Sequence, residues 1–293
     1  MSTRVLIVGS GGQLGVELVR EFTARSWEVV GLKRAELDIT DQAKVEQAIA
    51  AIDPGVVINA AAYNHVDLAE KQPVEAFQAN AIAVRNLALA CRQSDARFVQ
   101  FSTDYVFDGT KGSSYVEDDR PHPMGAYAVS KYAGELYAQA YLESPLIIRT
   151  SGVFGPGGLH TARGNFIESM LRLAKSGQPL RVVQSHVASP TYSPLLAARS
   201  ADLVAANASG VFHAGGGTAI SWYDFAAMIF QAAGLTPELR VADEREYRTA
   251  AKRPRYSALS NSKLEAFGVK PFPPMEEVVR DYLAKRTAIT AAV

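Results

Sequence analysis

Val5-Leu-Ile-Val8-Gly9-Ser-Gly-Gly12-Gln-Leu-Gly15 decides the fold of this chain. The β-branched run Val5–Val8 reads as a buried strand. Gln13 to Ala24 reads as a helix with Leu14, Leu18 and Phe22 on its apolar face. Between them Gly9, Gly12 and Gly15 fit the spacing G-x-x-G-x-x-G, a variant of the dinucleotide fingerprint. Missing side chains let the backbone approach a pyrophosphate lying at a helix N-terminus. Gly9, Gly12, Gln13, Leu14 and Gly15 are therefore the candidate phosphate cradle. An ordinary glycine-rich turn would carry the same letters; the strand–turn–helix context favours the dinucleotide reading.

Outward from this turn, short apolar runs alternate with helical patterns. Trp27–Leu32 is the second strand, Asp41 caps a helix reaching Ile52, and Val56–Asn59 is the third strand. Residues 73–94 read as one long helix, Arg97–Phe101 as a strand, Tyr127–Tyr141 as a helix and Leu146–Arg149 as a strand. Such alternation means βαβ crossovers, hence an α/β fold with a Rossmann-type doubly wound parallel sheet. After Thr150 the rhythm breaks into mixed elements, with Val211–Ala214 reading as one more sheet strand. The expected organisation is a dinucleotide-binding domain over 1–150 with a return segment at about 193–218. A smaller carboxy-terminal substrate-binding lobe takes 151–192 and 219–293.

Composition sets the outer bounds. Hydrophobic residues make up 48% of 293, enough for a full core. Lys plus Arg equal Asp plus Glu at 30 each, so no nucleic-acid partner is expected. The single cysteine, Cys91, excludes an intrachain disulfide and falls in a helical run, where a buried apolar role is expected. His65, His122, His160, His186 and His213 show no metal-ligand spacing; surface or loop roles and no metal are expected. No apolar run reaches the ~18 residues a membrane span needs, so a soluble cytoplasmic protein with no membrane partner is the expectation.

The residues after the second strand select the cofactor. A carboxylate there would hold the adenosine ribose 2′-hydroxyl, whereas this chain has Lys33 and Arg34. Two cations suit a 2′-phosphate, which favours NADP(H) and leaves NAD(H) as the second choice. Asp38 and Ile39 are candidates for the adenine pocket, and Ala60, Ala61 and Ala62 are small residues at a strand end where a cofactor must pass.

Chemistry is carried by Tyr127 and Lys131, four apart on one predicted helix face. A lysine near a phenol favours the phenolate and lowers the tyrosine from its ordinary ~10, giving a proton donor usable near neutral pH. Ser102-Thr-Asp-Tyr-Val-Phe-Asp-Gly109 begins at the carboxyl end of a predicted parallel strand, where open α/β sheets keep their ligands. There Thr103 would bond a substrate carbonyl oxygen, with Ser102 as supporting or alternative donor. Together they describe hydride delivery to a ketone with Tyr127 protonating its oxygen. Arg253 and Arg255 flank Pro254 in a basic stretch suited either to clamping a nucleotide diphosphate or to simple solvation.

In these motifs the chain resembles the extended short-chain dehydrogenase/reductases, and more closely the dTDP-4-dehydrorhamnose reductases. The likeness runs through 11–15, Asn-Ala-Ala-Ala-Tyr (59–63), Val-Asp-Leu-Ala-Glu (66–70), 102–109, Tyr-Ala-Val-Ser-Lys-Tyr-Ala-Gly-Glu (127–135), Arg-Thr-Ser (149–151), Asn-Phe (165–166) and Ser-Pro-Thr (189–191). It implies reduction of a nucleotide-linked 4-keto-deoxysugar in dTDP-rhamnose biosynthesis, most specifically dTDP-4-dehydro-L-rhamnose to dTDP-L-rhamnose. It implies Thr103, Tyr127 and Lys131 as catalytic, Asp104, Val106 and Phe107 near the sugar or nicotinamide, and a homodimer. The chain departs from the family at Gly152, where a Trp usually follows Arg-Thr-Ser, so a stacking surface beside the sugar is expected to be missing. Two alternatives stand beside this reading. One is an epimerase or dehydratase on the same fold, although Tyr105 rather than Glu after Asp104 argues against a dehydratase. The other is a non-catalytic, NADP-binding regulatory subunit.

Overall fold

The computed structural model describes residues 4–161, 164–243 and 249–291, without the side chains of His160, Thr290 and Ala291. In the first half the strands are β1 (Arg4–Val8), β2 (Glu28–Leu32), β3 (Val56–Asn59), β4 (Arg97–Thr103) and β5 (Leu146–Thr150). The second half adds β6 (Leu180–Val182), β7 (Val187–Ala188), β8 (Gly210–His213), β9 (Ile220–Ser221) and β10 (Leu239–Val241). Six of them make one parallel sheet in the order β2-β1-β3-β4-β5-β8. The order reverses at β1, with β2 on one side and β3 on the other, which opens a crevice at their carboxyl ends.

The sheet is parallel because both of its faces are apolar. Val5 and Ile7 of β1 point to one core with Leu18 and Phe22 of the helix Gln13–Ala24 and Leu196 of the helix Ser193–Ala205. Leu6 and Val8 point to the other, with Val45, Ile49, Leu87 and Cys91. Continuous burial on both faces is what helical crossovers produce. Burial also pushes the Cys91 thiol up to about 12. Asp41 caps the helix Gln42–Ile52 by accepting from the Lys44 N–H at 3.2 Å, a contact of about 1 kcal/mol.

A third core gathers Phe154, Ile167, Phe225, Ile229, Val279 and Tyr282, all fully buried. It is separate from the two that flank the sheet, and its residues all come from the part of the chain after β5. The tail is shared between this core and the sheet, because Leu264 and Val269 pack into the sheet core.

Three sequence expectations need correction. Strand β4 runs on to Thr103, pairing Ser102 with Arg149 and Thr103 with Thr150, so both hydroxyl residues sit on the strand itself. The expected long helix over 73–94 is three pieces: Pro73–Phe77, a π-helical turn Gln78–Ile82, and Ala83–Ser94. The cause is Asn80, whose amide accepts from the Tyr63 N–H at 2.8 Å and donates to the Tyr63 carbonyl and Ser130 Oγ, both at 3.0 Å. Such π turns accommodate an inserted residue and cluster at functional sites. Finally, His213 is a fully buried strand residue, with Nδ1 3.1 Å from the Tyr115 carbonyl. Burial, and then Arg149, lower its imidazole to about 3, so it is neutral.

The π turn seats the helix Ala126–Tyr141. A β-carbon on Gly134 would stand 2.2 Å from the Asn80 carbonyl oxygen, so the two backbones meet only because residue 134 has no side chain. Gly134→Ala should therefore cost about 1–3 kcal/mol, read as a lowered denaturation midpoint. An unchanged midpoint would contradict this packing.

Candidate active site

The glycine turn sits at the crevice between β1 and β3. Gly9 has φ 76°, and a β-carbon there would stand 2.6 Å from the Ala61 nitrogen at the end of β3. A β-carbon on Gly15 would meet the Gly9 carbonyl at 2.2 Å. Only glycine fits either place. Gly12 begins the helix Gln13–Ala24 with no side-chain capping bond and no acidic residue in the first turn, which leaves that end suited to an anion. The residues present thus fit a dinucleotide pyrophosphate.

Around the turn, Lys33 lies closest: its Cγ stands 3.3 Å from where a Gly11 β-carbon would be. Arg34 is 89% exposed and 3.8 Å from Asp38. The Asp38 carboxylate accepts from the Thr40 N–H at 3.0 Å and the Thr40 hydroxyl at 2.8 Å, which hold it below the usual carboxylate range. Ile39 is buried in the sheet core rather than open to the crevice. Ala60 and Ala61 continue β3: the Ala60 N–H reaches the Val8 carbonyl at 3.0 Å and the Ala61 N–H the Asn59 side chain at 3.1 Å. Ala62, next along, is partly exposed. Leu14 packs against the sheet core. Gln13 spends its side chain on the smaller lobe, donating to the Val153 carbonyl at 2.7 Å and accepting from Asn165 at 3.3 Å.

Thr103 ends β4, Tyr127 and Lys131 lie on the helix Ala126–Tyr141 that packs against that strand, and all three are buried. Lys131 Nζ donates to the Phe101 carbonyl at 2.8 Å. Burial lowers its ammonium to about 8, with the Glu135 carboxylate one turn on opposing the shift. Tyr127, one turn before Lys131, packs edge-on against Tyr105 at 6.1 Å, and its hydroxyl lies 3.5 Å from Asn64 Oδ1. Thr103 Oγ1 accepts from the Tyr105 N–H at 3.2 Å. Ser102 Oγ is buried with no hydrogen-bond partner among the described residues.

The residues placed near the sugar by family resemblance divide differently. Val106 and Phe107 are fully buried, Phe107 stacked on Tyr115 at 4.1 Å, so they are the floor beneath the loop rather than its exposed surface. The Asp104 carboxyl is also buried and meets hydroxyl groups of the protein. Gly152 has φ 49°, and the space beside it is filled: Trp222 Cη2 stands 2.9 Å from where a β-carbon would be. An indole from a distant part of the chain thus stands beside the position where the family's Trp was expected. Arg253 grips Asp67 through two bonds of 2.6 and 3.1 Å. With Lys252, Arg255, Asp108 and Thr110 it lines a cavity of about 580 Å³.

Sequence reasoning missed the residues that aim these groups. Glu70 Oε1 accepts from the Ala126 N–H at 2.8 Å, placing a carboxylate at the positive end of the Tyr127 helix. Asn80 and Ser130 fix the same helix from its side. Glu135 pairs with Arg149 at 2.7 Å in a bond 1% and 4% exposed. The signals were Glu70 and Glu135 inside the motif blocks 66–70 and 127–135, but only folding shows what they touch.

The profile of the family described as RmlD substrate binding domain matches residues 3–288. A dTDP-4-dehydrorhamnose reductase of Aggregatibacter actinomycetemcomitans is 38% identical over 282 residues, covering 92% of this chain and 94% of that protein. The spore coat polysaccharide biosynthesis protein SpsK of Bacillus subtilis is 37% identical over 286 residues, covering 98% and 99%. Among solved structures, the dTDP-4-dehydrorhamnose reductase of Bacillus anthracis in complex with NADP superposes with a TM-score of 0.92 at 34% identity, covering 97% of this chain and 100% of that one.

Lys131 titrates at about 8 when folded against 10.5 ordinarily, so between those values the folded chain binds fewer protons and this group's contribution to stability rises with pH. Glu135→Gln removes the nearby carboxylate charge that opposes burial. The Lys131 Nζ midpoint, followed by heteronuclear NMR, should move below 8 in that variant. A midpoint that stays or rises would contradict the assignment.

Proposed function

The chain belongs to the RmlD substrate binding domain family, and we propose that it reduces the 4-keto group of a dTDP-linked deoxysugar with NADP(H). The specific reaction proposed is dTDP-4-dehydro-L-rhamnose to dTDP-L-rhamnose. The observation that carries it is that the Tyr127 helix grips the end of β4 on either side of Thr103, Lys131 bonding the Phe101 carbonyl and Tyr127 packing on Tyr105.

The cofactor, when bound, supplies a hydride to the ketone carbon. The glycine turn and the open end of the helix Gln13–Ala24 hold its pyrophosphate, and Lys33 and Arg34 stand at the end of β2, where a 2′-phosphate needs cations. Thr103 bonds the ketone oxygen as negative charge develops on it. Tyr127 gives that oxygen its proton, completing the alcohol. The Lys131 ammonium then favours the phenolate left behind. Lys131 is held on the Phe101 carbonyl and the helix start on Glu70, so the donor's position is fixed before substrate arrives. The cavity between Asp108 and Arg255 offers the substrate's diphosphate the cations Lys252, Arg253 and Arg255.

No helix among the described residues is long and apolar enough to cross a membrane. A homodimer and cytoplasmic residence belong to the same proposal and rest on the family resemblance.

Tyr127→Phe keeps the ring and removes the proton. It should lower kcat for NADPH-dependent reduction by about 10²-fold or more while NADPH binding, followed by fluorescence, is unchanged. Full turnover in that variant would overturn the assignment of the donor. Replacing Lys33 and Arg34 together by alanine should raise KM for NADPH about tenfold relative to NADH; an unchanged ratio would place the 2′-phosphate elsewhere.

A further inference from the structure

Asp104 follows Thr103 at the end of β4 and is 3% exposed. Its carboxyl group meets three hydroxyls from three parts of the chain. Oδ2 accepts from Ser151 Oγ at 2.8 Å, after β5, and from Ser257 Oγ at 2.5 Å, in the tail. Oδ1 lies 3.2 Å from Thr103 Oγ1. A carboxyl placed this way has only one oxygen left for a proton of its own, and that oxygen faces Thr103.

A hydroxyl has one proton to give and two lone pairs to fill. One Thr103 lone pair already takes the Tyr105 N–H at 3.2 Å. When Asp104 is ionised it only accepts, so the single Thr103 proton is drawn to Oδ1. What Thr103 then presents to a ketone oxygen is a lone pair, which repels it. When Oδ1 carries a proton it donates to Thr103 Oγ1, both lone pairs are filled, and the Thr103 proton is free for the ketone. Resting on the ketone-reductase reading above, we propose that Asp104 is a positioning residue whose protonation sets the direction of the Thr103 hydrogen bond, neutral Asp104 making Thr103 a donor to substrate.

The surroundings allow the neutral form. Burial raises the carboxyl to about 6, while the hydroxyls of Ser257, Ser151 and Thr103 pull the other way. Charged and titratable groups on the adjoining elements are engaged elsewhere. On the helix Ala126–Tyr141, Lys131 is turned to the Phe101 carbonyl and Tyr127 packs on Tyr105 of Asp104's own loop. Glu135 of that helix and Arg149 of β5 hold each other. Asp108, further along the loop, is bonded to Thr110, Tyr115 and His122, and in the tail Arg255 lines the basic cavity near Tyr256.

Asp104→Asn tests this, because an amide can accept from the two serines through its oxygen and donate to Thr103 through its nitrogen at every pH. With saturating NADPH and dTDP-4-dehydro-L-rhamnose, wild-type kcat should fall about tenfold per pH unit above its midpoint. Asp104→Asn should hold the wild type's acid plateau through that window, and Asp104→Ala should be slow throughout. An alkaline limb in Asp104→Asn matching the wild type would overturn the proposal, as would a folded Asp104→Asn protein inactive at all pH. A wild type without turnover would instead sink the reductase reading. Difference infrared spectra of the free protein then decide separately: a protonated-carboxyl band present in wild type and missing from Asp104→Asn supports the proposal, and its absence from wild type across the acid range overturns it.

Discussion

A fully buried ammonium held by a backbone carbonyl is the constraint on which this site depends. Lys131 Nζ reaches the Phe101 oxygen at 2.8 Å, joining the helix Ala126–Tyr141 to the strand that carries Thr103. Desolvating a cation is costly, and here one main-chain oxygen and the nearby Glu135 offset only part of that cost, which is why its pKa falls to about 8. The bond leaves the helix little freedom to slide or turn. Tyr127, one turn earlier on that helix, inherits its position from it. Gly134 against Asn80 and Glu70 at the helix start close off the remaining motions.

The two lobes are joined at the places where chemistry needs them joined. Gln13, in the first turn of the phosphate-binding helix, holds Val153 and Asn165. Asp67, from the segment after β3, holds Arg253 beside the basic cavity. Ser257 reaches the Asp104 carboxyl next to Thr103. Each tie links the sheet half of the chain to the part after β5, so in the proposed reaction a ligand bound on one side would bear on groups held by the other.

Much of this was legible in the sequence where the signal is local. A β-branched run, three glycines and an apolar helix face suffice for β1, the turn and Gln13–Ala24, because close backbone approach admits nothing but glycine at positions 9 and 15. Lys131 and Tyr127 were legible because helix spacing alone puts them on one face. The π turn at Gln78–Ile82 was not, since it arises from Asn80 bonding Tyr63 and Ser130, residues distant in sequence. Nor was the burial of His213, Val106 and Phe107, which depends on what packs over them. The filling of the space beside Gly152 by Trp222 belongs to the same class: a gap read from one position is closed by a residue seventy positions on.

The central claim is that hydride passes from nicotinamide C4 to the sugar's C4 at this edge of the sheet. It is tested most directly by supplying NADPH deuterated at C4, in each stereoisomer, with dTDP-4-dehydro-L-rhamnose in ordinary water, and reading the product by NMR. The account predicts one deuterium at sugar C4 from one of the two stereoisomers and its complete absence with the other. Product lacking the label with both, or no reduction at all, would contradict it.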